Sequence, residues 1–147
     1  MRVIFTNFGT RGDFWPLCAL AKHARDRGHI PVFAIPMYAA EIVEQFGFEL
    51  LYISEDLSEL RDQVNRSWIS HQDSYLDAGK LWDLLSPFQQ YFSSTFEELL
   101  RACRGADVLV SGPAQPLSRI VHEYLGIPFV SAQFSHFGGT GGLRSKR

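Results

Sequence analysis

The chain is short of cysteine. Its 147 residues hold two, Cys18 and Cys103, far apart and in no CxxC or Cys/His spacing. That argues against both a disulfide framework and a zinc site. An excess of one charge is also lacking. Lys and Arg number 14 against 16 Asp and Glu, for a formal net charge of -2. Such a balance supplies no basic field for nucleic acid. No apolar run approaches the ~20 residues that cross a bilayer. Val3, Ile4 and Phe5 alone are too few for the apolar region of a secretory signal. The expectation is a reduced, cytoplasmic, metal-free protein.

Hydrophobic residues are plentiful, at 46%, with 20% charged. That composition builds a core rather than a disordered coil. The length fits one domain by the usual range of ~100–200 residues. Aromatic content is 14%, with 12 Phe, which fills a core and leaves rings for a pocket.

Along the chain, apolar β-rich runs alternate with helical periodicity. Residues 2–6 (RVIFT) predict a strand, followed by the loop NFGTRGD. From Asp13 to Arg27 the apolar positions Leu17, Leu20, Ala21 and Ala24 recur at helical spacing. Gly28 closes that helix, and residues 30–35 (IPVFAI) form a second strand. Residues 39–46 predict a short helix ended by Gly47, and 48–53 a third strand. Leu57, Leu60, Val64 and Trp68 predict a helix over 57–69, with a polar loop over 70–79. Ser86 as N-cap, Pro87 and Gln89 open a helix with one apolar face: Phe88, Phe92, Phe96, Leu99 and Cys103. Strands at 108–110 and 127–131 flank a helix at 114–125, and the tail 135–147 carries no element signal. This alternation predicts an α/β fold with a Rossmann-like, doubly wound parallel sheet, ordered 3-2-1-4-5.

Such sheets bind ligands at the carboxyl ends of the strands, where strand order reverses. Here that place is the first loop. Its glycines, Gly9 and Gly12, let backbone N–H groups approach a ligand. The loop is neither GxGxxG nor a Walker A sequence, and strand two ends in Ala34-Ile35-Pro36 without a ribose-binding carboxylate. A nicotinamide or flavin enzyme is disfavoured on both counts. Asp13 has two readings. It fits a helix N-cap, with Pro16 in the first turn. It also fits a general base that takes a proton from a bound hydroxyl. Residue type alone favours the cap, and the two roles can coexist. Thr10 and Arg11 are polar loop residues with a turn or solvated role as the plain alternative to phosphate contact.

The run RVIFTNFGTRGDFWPLCALAKHARDRGHIPVFAIP resembles the opening of bacterial and fungal glycosyltransferases of the GT-B fold. These are the family 28 N-terminal domain type, which glycosylate glycopeptide antibiotics, macrolides and sterols. Gly9, Thr10, Arg11, Gly12, Asp13, Pro16, Ala19, Leu20, Ala21, Arg27, Gly28, His29, Val32, Ala34 and Pro36 fall in register with that opening. FGFELLYI, GADVLVSGP and LGIPFVSAQ follow in order, so the resemblance spans residues 1–134.

The resemblance implies a two-domain, metal-free, inverting enzyme. Its N-terminal half binds a hydrophobic, hydroxylated acceptor (a sterol, polyketide, lipid or aromatic aglycone). The other half holds a UDP- or dTDP-sugar, so this chain itself binds no cofactor. Asp13 then becomes the catalytic base, with Thr10, Arg11 and Gly12 near the donor phosphates. Relatives with a His base orient it by an Asp after strand four. Ser111-Gly112-Pro113 offers none, which suits an Asp base. Phe14, Trp68, Trp82, Phe88, Gln133 and His136 are the acceptor-pocket candidates. Core packing is the plain alternative for the rings, most strongly for Phe88 on its helical stripe, and surface exposure for His136. His29 is expected to be structural, and His23 and His122 exposed.

A full enzyme of this type has two domains, so residues 1–134 are expected to be an incomplete acceptor-binding domain, inactive alone. Its donor-binding partner would be supplied in cis or in trans, and the full enzyme could associate peripherally with membranes. Two other readings stay open. A non-catalytic α/β binding or assembly module, such as a subunit of a split glycosyltransferase, predicts a partner chain and no hydroxyl chemistry. An unrelated nucleotide-binding protein predicts tight nucleotide binding by this chain alone.

Overall fold

The computed structural model describes residues 1–54, 62, 66 and 86–134. Five parallel strands form one sheet: β1 (Arg2–Thr6), β2 (Ile30–Ile35), β3 (Glu49–Tyr52), β4 (Val108–Ser111) and β5 (Phe129–Ser131). Their order is β3-β2-β1-β4-β5, as the sequence predicts. The reversal of strand order lies between β1 and β4. There Ile4 pairs with Val32 on one side and Leu109 on the other, and Phe5 with Phe33 and Val110.

The period of two along β1 divides the core. Val3 and Phe5 face α1 (Arg11–Asp26) and α2 (Ala40–Glu44), with Phe14, Leu17, Cys18, Phe33 and Val43. Ile4 faces the other layer, α3 (Phe92–Cys103) and α4 (Ser118–Leu125), with Val32, Leu99, Cys103, Leu109 and Val121. Fully burying each such side chain contributes roughly 1.5–3 kcal/mol. The sheet is therefore covered on both faces, as parallel sheets must be.

Several boundaries differ from the sequence reading. α1 starts at Arg11 with Thr10 as N-cap, so Asp13 is its third residue and not its cap. Pro16 lies beyond the first turn, inside the helix. Leu20 points to solvent at 41% exposure, because the apolar stripe runs through Phe14, Leu17, Cys18 and Ala21 instead. A 3-10 turn, Met37–Ala39, precedes α2. A second, Ser86–Tyr91, takes the place of the first turns expected after Pro87. α4 starts at Ser118, four residues later than expected, and its Ile120 and Tyr124 are exposed. His23 is exposed, but His122 is half-buried, its Nδ1 against the Ile127 carbonyl and its ring stacked on Phe129. Of the helix expected over 57–69, only Asp62 and Arg66 are described, both helical. The loop 70–79 and the tail 135–147 lie outside the described residues.

Candidate functional site

The strands are apolar along their length and turn polar where they end. Thr6, Asn7, Ser54, Ser111, Gln115 and Ser118 are all buried at or just beyond the carboxyl ends. Asn7 follows β1 and is fully enclosed. Its Oδ1 accepts the Ala114 N–H at 3.2 Å, tying the β1 loop to the β4 loop across the reversal. Gln115 Nε2 donates to Thr6 Oγ1 at 3.3 Å, and its Oε1 accepts the Leu117 N–H at 3.2 Å. Tyr38 crosses from the other side, its hydroxyl donating to the carbonyls of Phe8 and Gly9. Among the described residues, four buried polar atoms have no hydrogen-bond partner: Asn7 Nδ2, Ser54 Oγ, Thr95 Oγ1 and Ser118 Oγ. Each such group costs roughly 1–3 kcal/mol of desolvation.

Asp13 lies beside this cluster, half-buried on the first turn of α1. Its Oδ2 accepts the Thr10 N–H at 2.8 Å and the Thr10 hydroxyl at 3.0 Å. This is the acidic half of a capping box, and it satisfies a helix-end donor. The carboxylate is thereby folded back over the loop. Its other oxygen, Oδ1, makes no hydrogen bond among the described residues. The loop must be bare to allow this: a Cβ on Gly9 would lie 2.3 Å from Asp13 Oδ2 and 2.6 Å from Asn7 Nδ2. A Cβ on Gly112, in the loop after β4, would lie 2.6 Å from Asn7 Cγ.

The other expected site residues fall in different places. Thr10 is exposed at the helix end and anchors Asp13. Arg11 turns to α2, where it pairs with Glu41 at 3.2 Å, both side chains largely in solvent. Gly12 is exposed, and among the described residues a Cβ there would meet only Thr10 Oγ1, at 3.7 Å. Phe14 has no exposed surface and sits in the core under α1, so it lines no open pocket. Gln133 is exposed just past β5, its Nε2 donating to Ser131 Oγ at 3.0 Å. Trp68, Trp82, His136 and the side chain of Phe88 lie outside the described residues.

Sequence reasoning missed Asn7 and Tyr38. Asn7 carried one signal, a polar side chain directly after β1 at the reversal point. Tyr38 carried none, because its role depends on a contact across 30 residues. Ser54, just past β3, adopts a left-handed φ of 75° and donates its N–H to the Glu98 carboxylate. Such strain in a residue with a side chain clusters at ligand-binding edges. The two cysteines are buried, and burial pushes their thiols up to about 11 for Cys18 and about 12 for Cys103. Thiols held in the protonated form are poor nucleophiles. Among the described residues no helix is long and apolar enough to cross a membrane.

This doubly wound parallel sheet, ordered β3-β2-β1-β4-β5, matches the Rossmann-like half of a GT-B fold. No protein-family model matches the chain. Curated relatives do, and they are glycosyltransferases. A sterol 3-beta-glucosyltransferase of Neurospora crassa is 27% identical over 132 residues, covering 90% of this chain and 8% of that protein. An uncharacterized glycosyltransferase of Mycobacterium tuberculosis is 28% identical over 138 residues, covering 91% of this chain and 32% of its own length. Among solved structures, the Streptomyces sp. SF2575 glycosyltransferase SsfS6 superposes with a TM-score of 0.70 at 17% identity, over 90% of this chain and 39% of that one. The glycosyltransferase VinC, solved with dTDP, gives 0.68 at 20% identity, over 92% and 35%. The chain thus spans between 8% and 39% of the length of these proteins.

Proposed function

We propose that residues 1–134 are the acceptor-binding domain of an inverting, nucleotide-sugar-dependent glycosyltransferase. One observation carries the reading. Asp13 is anchored through Oδ2, and its Oδ1 makes no hydrogen bond among the described residues. A carboxylate fixed on one side and open on the other is suited to take a proton from a ligand hydroxyl. Asp13 removes that proton as the acceptor oxygen bonds to the anomeric carbon. The bond from that carbon to the nucleoside diphosphate breaks, and the sugar inverts. The departing diphosphate carries the negative charge, and N–H groups of the Gly9–Gly12 loop and of the donor domain stabilise it. No metal enters this scheme.

The acceptor is hydrophobic and hydroxylated, of the sterol or polyketide kind. Gln133 lies on the correct edge to meet it, and Trp68, Trp82, Phe88 and His136 are proposed to complete its pocket. The sugar donor, carried by UDP or dTDP, belongs to a second domain, so this chain alone transfers nothing. The enzyme works in the cytoplasm, with peripheral membrane contact where the acceptor is a lipid.

The test supplies a donor-binding domain in cis or in trans and measures turnover of UDP-glucose or dTDP-glucose with ergosterol. Asp13→Asn is expected to lower kcat by about 10²–10⁴-fold. Wild-type turnover in that variant would remove Asp13 as the base.

A further inference from the structure

We infer that Tyr38 is a positioning residue for Asp13, its hydroxyl fixing the Gly9–Thr10 peptide group that holds the Asp13 carboxylate. The inference rests on Asp13 being the base.

Three observations lead to it. First, one peptide group joins the two side chains. The Gly9 carbonyl and the Thr10 N–H belong to the same planar amide. The carbonyl accepts the Tyr38 hydroxyl at 3.3 Å, and the N–H donates to Asp13 Oδ2 at 2.8 Å. The amide is rigid, so tilting it at the carbonyl tilts the N–H that holds the carboxylate.

Second, Tyr38 grips both sides of a residue free to swivel. Its hydroxyl also donates to the Phe8 carbonyl. The Phe8 and Gly9 carbonyls belong to the peptide groups on either side of the Gly9 α-carbon. Glycine is demanded there, since a Cβ would lie 2.3 Å from Asp13 Oδ2. Glycine also has the widest choice of φ and ψ. Two carbonyls converging on one hydroxyl restrict both angles.

Third, Tyr38 is itself held by the body of the fold. It lies in the 3-10 turn Met37–Ala39, directly after β2 and Pro36. Its half-buried ring packs against the core between the sheet and α1. The loop after β1 is thus gripped from the neighbouring strand.

The consequence is a base whose geometry depends on a hydroxyl that never touches it. A hydrogen bond on a carbonyl also polarises its amide and strengthens the N–H as a donor. Fixing a reacting group in one geometry is among the larger sources of rate.

Two measurements test this, both on Tyr38→Phe, which keeps the ring and removes the hydroxyl. The first needs no turnover. In the 147-residue chain, the Thr10 amide proton is followed by NMR. The Arg2 N–H, held by Asp107 Oδ2 at the other end of β1, is the reference. The Thr10 proton should move upfield and exchange faster with water, while the Arg2 proton stays. The second uses turnover with UDP-glucose and ergosterol, donor domain supplied. The kcat should fall about tenfold, with both KM values within about twofold. Nothing further should be lost in an Asp13→Asn background. An unmoved Thr10 proton, an Arg2 proton that moves with it, a wild-type kcat or a further loss in the Asp13→Asn background overturns the inference. The base reading is judged separately, by Asp13→Asn alone.

Discussion

The two ends of the sheet use glycine for opposite reasons. At the amino end, Gly28 and Gly126 follow helices and precede strands, with φ of +80° and +68°. Among the described residues, nothing lies within 4 Å of the Cβ either would carry. Backbone conformation alone requires glycine there. At the carboxyl end, Gly9 and Gly112 have no such φ, and their missing Cβ atoms would collide with Asn7, and at Gly9 also with Asp13. There the requirement is close approach of other groups. Hydrogen bonding differs in the same way. The amino end is satisfied: Arg2 N–H reaches Asp107 Oδ2 at 2.6 Å, Asp107 N–H returns to the Arg2 carbonyl at 2.9 Å, and Ile30 N–H to the Met1 carbonyl at 2.8 Å. The carboxyl end leaves Asn7 Nδ2 and the Ser54 and Ser118 hydroxyls without partners among the described residues. One end is built for stability, and the other keeps unpaired polar groups at the cost of some of it.

Four changes sharpen or break that contrast. The largest effect is expected from Phe14→Ala. A ring enclosed in the core should cost about 3–5 kcal/mol on removal, read from urea unfolding. A loss under about 1 kcal/mol with weakened acceptor binding would return Phe14 to a pocket wall. Gly9→Ala comes next. The new methyl must displace the Asp13 carboxylate, and turnover of the assembled enzyme should fall about 100-fold. The third is Gly126→Ala, which should lower stability by about 1–2 kcal/mol, the cost of a left-handed residue with a side chain. Its kcat per folded molecule should be unchanged, and a kcat falling with stability would erase the division between the ends. Smallest is Arg11→Ala. Its pair with Glu41 is largely in solvent, so unfolding should shift by less than about 1 kcal/mol. A marked rise in the KM for the nucleotide sugar would instead show Arg11 at the donor phosphates.

Much of the fold was legible because the signals for it are local. The apolar runs of β1 and β2 and the glycines that stop each helix lie within a few residues of what they govern. Strand order followed from the handedness of βαβ crossovers. Less of the site was legible. Asp13 was noticed, with residue type favouring an N-cap and the resemblance a base, and the cap position was misplaced because an Asp before Phe14 and Trp15 fits an N-cap pattern as well as Thr10 does. The Thr10 N–H and hydroxyl, both donating to Asp13 Oδ2, decide it. Phe14 stands next to Asp13 in sequence, and helix geometry turns it the other way, into the core. Leu20 erred in reverse, since a four-residue apolar spacing fits two stripes and only packing against the sheet selects one.

The sequence by itself determined the class of fold and the strand order, and it singled out the loop after β1 and the carboxylate within it. Each rests on periodicity or on backbone conformation, which neighbouring residues dictate. Only the tertiary structure decided how that carboxylate is held. Asn7 meets Ala114 across 107 positions of chain, and Tyr38 meets Phe8 across 30. Contacts of that separation depend on which strands lie side by side, and the order of residues leaves no local trace of them.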